Sequence, residues 1–227
     1  MRSPRSATGL LAALAVALLA GCASFRGEME SAYAGKPSRN ADSRPVSVLF
    51  VFHHVRQTLG YDAVPKLVGK NHNVSGFDEI LGDALPELSN LGSYATHTVE
   101  AADVNRPERR AQLDSLMRVS DYTVRIRLES TRRFSSQFLG SLASSLTATL
   151  LPVPYRKDYT LKAEVLDRER HLVATFERHT ALRTWVEALL VFVYPFHPEE
   201  RKREEIYVEF LHDLFRQMES EAVLKAL

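Results

Sequence analysis

Cysteine is all but absent: the 227-residue chain has one, Cys22. A single thiol excludes an internal disulfide framework and cannot build a zinc knuckle. An excess of one charge is missing too, with 29 Lys+Arg against 28 Asp+Glu. That balance argues against a general nucleic-acid binder, which is ordinarily markedly basic. The sequence has no HExxH, Walker A loop, dinucleotide-binding glycine pattern or G-x-S-x-G elbow. No metal or cofactor is therefore expected, and no His or carboxylate cluster has metal-ligand spacing. What is there, 45% hydrophobic and 25% charged residues, describes a folded soluble domain.

The amino terminus carries Arg2 and Arg5, and no further charge until Arg26. Between them Gly9 to Leu19 is an unbroken apolar run, the layout of a secretory signal peptide. It ends in Leu19-Ala20-Gly21-Cys22, which resembles the lipobox of bacterial lipoproteins. The small Ala20 and Gly21 would let a peptidase reach the bond, and Cys22 supplies the sulfur. The resemblance implies diacylglycerol on the Cys22 thiol, cleavage before Cys22 and acylation of the new amino terminus. By the same resemblance Ala23 and Ser24 look like outer-membrane sorting residues in a two-membrane bacterium. The competing reading is an uncleaved anchor, since about 20 residues can span a bilayer. Against it, this run is short, rich in alanine and stops on the one cysteine. Residues 1–21 are thus expected to be a leader. Residues 22–45, rich in Ser, Ala, Gly, Arg and Pro, should be the lipidated cysteine and a flexible tether.

A globular periplasmic domain is expected over 46–220, with a short tail at 221–227. Val46 to Phe52 is a β-branched and aromatic run and reads as a buried strand. The stretch holding Gly60, Pro65, Gly69 and Gly76 should be loop. Phe77, Ile80, Leu81, Ala84, Leu85, Leu88 and Leu91 form a helical stripe that Pro86 should kink or break. Tyr94 to Glu100 can return as a strand, and Pro107 suits the first turn of another helix. Tyr122 to Glu129 and Tyr159 to Val165 alternate apolar with polar, as half-buried strands do. Leu172 to Leu182 should pair with the latter through the Asp167–Arg170 turn. Pro198-Glu199-Glu200 opens a last helix, with Tyr207, Phe210, Leu211, Leu214, Phe215 and Met218 on one face. The expected fold is a single α/β domain, a mixed β-sheet packed with about three helices in the order β-α-β-α-β-β-β-α. It loosely resembles the periplasmic domains of outer-membrane lipoproteins related to the TolB amino-terminal fold, including curli-secretion and penicillin-binding-protein activator lipoproteins. The likeness rests on element order and on the opening Val46–Phe52 strand.

Two apolar segments stand out. From Phe134 to Tyr155 there is no charged residue, and from Trp185 to Phe196 only Glu187. Arg132, Arg133, Arg156 and Lys157 flank the first; Arg183 and Arg201-Lys202-Arg203 flank the second. Because a hairpin lies between them, both segments should leave from the same end of the sheet. Aromatic side chains rimmed by cations suit a bilayer interface. Phe138, Leu142, Leu146, Trp185, Phe192 and Tyr194 are therefore candidates for membrane or partner contact. The competing reading is that both segments are ordinary core.

Of eight histidines only His53 and His54 are neighbours, and adjacent strand residues point to opposite faces. Arg125 and Arg127 beside Lys162 could form a basic stripe for an anionic partner, or simply the wet face of a sheet. The expected function is a non-enzymatic, lipid-anchored envelope module that binds a protein partner or self-associates. It is held to the outer membrane on the periplasmic side, without nucleic acid. An envelope hydrolase acting on cell-wall or lipid material, and an oligomeric pore or lipid-transport component, are the alternatives.

Overall fold

The computed structural model describes residues 21–39, 43–59, 65–67, 77–100, 103, 105–133, 153–187 and 199–225. Among these residues seven strands form one mixed sheet. They are β1 (Gly21–Arg26), β2 (Val46–Leu59), β3 (Pro65–Leu67), β4 (Leu91–Thr98), β5 (Tyr122–Arg133), β6 (Val153–Leu166) and β7 (Leu172–Glu187). Helices α1 (Phe77–Ala84), α2 (Pro107–Val119) and α3 (Glu199–Ser220) complete the expected α/β domain.

The strand order is β1-β7-β6-β5-β2, with β4 and β3 both beyond β2. Strand β4 lies parallel to the first half of β2, and β3 antiparallel to its last three residues. Strands β2 and β5 are also parallel, which requires helical crossovers, and α1 and α2 provide them. Pro107 sits in the first turn of α2, where its missing N–H costs nothing. Pro86 ends α1 and leaves a 3₁₀ turn over Leu85–Glu87, the break that its ring demands.

One face of the sheet carries most of the core. Val48, Phe50 and Phe52 of β2 lie there with Val124, Ile126 and Leu128 of β5 and Leu161, Ala163 and Val165 of β6. Helix α3 covers them with Ile206, Tyr207, Phe210, Leu211, Leu214, Phe215 and Met218, and α1 adds Phe77, Ile80, Leu81 and Ala84. Each Val, Leu, Ile, Phe or Met among them contributes about 1.5–3 kcal/mol on burial, so this face dominates stability. On the opposite face α2 lays Met117, Leu113 and Leu116 over Leu49 and Val51. Beyond that contact, β5, β6 and β7 turn a charged, solvated face outward.

Three expectations are corrected. Residues 22–45 are not a free tether along their described length: Gly21–Arg26 pair antiparallel with β7, from Gly21 opposite Glu187 to Arg26 opposite Leu182. The seam continues with Gly27 N–H donating to Ala181 O at 2.7 Å and Glu30 N–H to His179 O at 2.7 Å. The polar side chains that suggest a linker are used here as hydrogen-bonding groups against an edge strand. Ser24 and Thr184 hydroxyls meet at 2.9 Å, and Ser38 bonds Ser220. Secondly, the expected loop after Phe52 is strand as far as Leu59, and Pro65–Leu67 pairs back on it. Thirdly, the tail at 221–227 is packed in its described part: Leu224 is core and Lys225 O accepts from the Tyr122 hydroxyl at 2.6 Å.

Candidate functional site

Five described chain ends converge at one end of the sheet. Val153, which opens β6, faces Val186 near the end of β7, and Gly21 faces Glu187. Leu59 at the end of β2 faces Arg133 at the end of β5. Arg133 and Val153, which flank 134–152, and Glu187, which precedes 188–198, lie at this end. Cys22 lies there too, paired through its backbone with Val186. Of the candidate contact residues, Trp185 is half-buried on β7 between Ala23 and Pro154. It has the strand parity of exposed Arg183, so it belongs to the open face. Phe138, Leu142, Leu146, Phe192 and Tyr194 lie outside the described residues.

The basic rim does not form one belt; strand parity divides it. Arg156 and Arg183 are exposed on the open face, and Arg156 bonds Asp158 at 2.7 Å. Arg132 and Lys157, by contrast, continue the buried rows of β5 and β6. They are register partners, and Arg56 on β2 lies one row away, opposite Ser130, which itself faces Tyr159. The first turns of α3 close over this corner. Glu199 Oε1 contacts Lys157 Nζ and lies 3.7 Å from Arg132 Nη2. Arg203, one turn on, is half-buried, and its Nε is shielded from solvent with no hydrogen-bond partner among the described residues. Lys157 is 7% exposed, and burial followed by the fields of Arg132, Arg56 and Arg203 pushes its pKa down to about 7. Nearby Tyr159 and Tyr207 stack edge to face at 6.0 Å, and burial raises both hydroxyl pKa values.

The possible basic stripe of Arg125, Arg127 and Lys162 is largely neutralised. Arg127 is paired with Glu129, Lys162 bonds Glu177 at 2.9 Å, and Arg125 stands opposite Glu164. Arg125, Arg127, Glu129, Lys162, Glu164 and His53 line a shallow cleft floored by Val51, Val99 and Leu113. Burial, then Arg127, lowers the His53 pKa, with Glu129 opposing. Among its described lining residues there is no serine, threonine or cysteine for His53 to activate. His54 points the other way, edge-on to Phe77 at 5.1 Å, and burial brings its pKa down to about 4. Asp167, Glu169 and His171 could approach one cation at the β6–β7 turn. Asp167 instead caps that turn, accepting from His171 N–H at 2.8 Å.

Sequence reading missed the corner formed by Arg56, Arg132, Lys157 and Arg203. The signal was present in strand parity, since Arg132 falls in step with Leu128 and Lys157 with Tyr159. What periodicity could not supply is the pairing of β2 with β5 or the seat of α3.

Among the described residues no helix is long and apolar enough to cross a membrane. No protein-family model matches the chain, and no curated protein matches it. Among solved structures it is similar to a PelC dodecamer from Paraburkholderia phytofirmans at 8% identity and a TM-score of 0.33, covering 88% of this chain and 98% of that one. A variant of that dodecamer in a second crystal form gives 8% identity and a TM-score of 0.30 over 86% and 98%. Likeness at that level carries nothing about function.

Proposed function

We propose that this chain is a lipid-anchored cell-envelope protein working as a non-enzymatic partner-binding or assembly module. The observation that supports it best is the position of Cys22. The residue that resembles a lipobox cysteine is the second of β1, at the sheet end that holds Val153 and Glu187 beside the two apolar segments. An acyl group on that sulfur would present this end to the bilayer. Each buried methylene contributes about 0.8 kcal/mol, so several acyl chains hold a protein almost permanently. Because β1 is seated on β7 from its first residues, the domain would ride close to the membrane with little slack. The outer membrane's periplasmic side and the likeness to TolB-related domains belong to the same proposal. The open face of β5, β6 and β7, with its paired charges, is the broad surface left for a partner.

Labelling with radioactive palmitate in a two-membrane bacterium tests the anchor. The wild type should take up label and fractionate with membranes. The Cys22→Ser variant should do neither, and equal labelling of both would refute the anchor.

A further inference from the structure

Among the described residues, the corner beneath the start of α3 gathers four cations around Glu199. Arg56, Arg132 and Lys157 come from three adjacent strands on the core side, and Arg203 comes from the helix above. Glu199 is shared between Lys157 and Arg132 through a single oxygen. Like charges directly opposite each other on neighbouring strands destabilise a sheet, and Arg132 faces Lys157. Partly buried cations are costly unless anions and hydrogen bonds compensate them. The shielded Arg203 Nε still lacks an acceptor among the described residues. The Arg132 and Glu199 side chains are 35% and 37% exposed.

We propose that Arg56, Arg132, Lys157 and Arg203 form a binding site for a phosphate group at the membrane-facing end of the sheet. Arginine forks match phosphate oxygens in geometry, and a compact lysine adds a point charge. The charge of a phosphate would relieve the repulsion between Arg132 and Lys157. The phosphate can come from a phospholipid headgroup or from a soluble phosphate. Only the first source rests on the anchoring proposed above, so the two proposals fail separately.

The test is a thermal-denaturation titration of the purified protein with inorganic phosphate and with glycerophosphoglycerol, the soluble headgroup of phosphatidylglycerol. Sodium chloride at matched ionic strength is the control. Saturable stabilisation beyond chloride is expected, with the affinity lowered at least about tenfold in Arg132→Gln and in Arg203→Gln through loss of charge-assisted hydrogen bonds. Preference for glycerophosphoglycerol assigns the site to lipid headgroups, and preference for inorganic phosphate to a soluble ligand. Stabilisation no greater than that by chloride would overturn the proposal, a result that needs no variant. Unchanged affinity in both folded variants would overturn it as well.

Discussion

Arg178 on β7 donates from Nε to Asp213 Oδ2 on α3 at 2.5 Å, an ion pair sealed inside the domain. Arg178 is 3% exposed, and its other nitrogens reach Gln217 and the Glu177 carbonyl. The carboxylate also accepts from Tyr33 N–H at 3.1 Å, so one pair ties together the sheet, α3 and the strap that follows β1. Breaking such a pair strands a charge; replacing both partners does not.

Asp213→Ala should therefore cost about 3–5 kcal/mol of stability, because Arg178 would be left buried and uncompensated. The double variant Arg178→Met/Asp213→Leu should recover a large part of that loss. Urea denaturation of the three proteins checks the ordering. A double variant as unstable as the single one would contradict the assignment of a stranded charge.

Residues 22–30 should exchange amide hydrogens slowly for a segment with a linker's composition. Gly27 and Glu30 N–H groups bond β7 carbonyls at 2.7 Å and should be protected. Exchange at the rate of an unstructured peptide would mean that β1 is not seated on β7.

Much of this fold is legible in sequence because its elements bury one face each. Alternation through β5 and β6, the α3 stripe from Tyr207 to Met218 and the break at Pro86 all follow from local periodicity. The β1 seam was not legible. Gly, Ala and Ser carry no apolar period, and their role depends on the unpaired edge of a strand about 160 residues away, as Ser24 and Thr184 illustrate. The same holds for the candidate site. Cys22 is marked by its local motif, whereas the Arg56–Arg132–Lys157 corner exists only once parallel β2 and antiparallel β6 flank β5.

His54 should make the fold sensitive to acid. Its folded pKa of about 4 lies below the ordinary 6.5, through burial and the neighbouring His53. Between those values the unfolded chain binds more protons, so stability rises with pH there and falls as pH drops from about 6.5 toward 4. The shift corresponds to roughly 3 kcal/mol across that window. His54→Leu, which keeps an apolar contact with Phe77, should flatten the decline. An identical pH profile in the variant would show that His54 is not its source.

Phe215 packs its ring 5.4 Å from that of Phe50 and is fully buried. Phe215→Ala should cost about 3–5 kcal/mol by opening a cavity between α3 and the sheet. Val119→Ala, at a position 70% exposed, should change stability by no more than about 0.5 kcal/mol. Calorimetry of the two variants distinguishes them, and comparable losses would mean that α3 does not carry the main core.

The intact mass of the protein extracted from its native membranes tests the anchoring most directly. The expected species starts at Cys22 and carries the added mass of a diacylglycerol and an amide-linked fatty acid. A species retaining residues 1–21 with no fatty acid would contradict it.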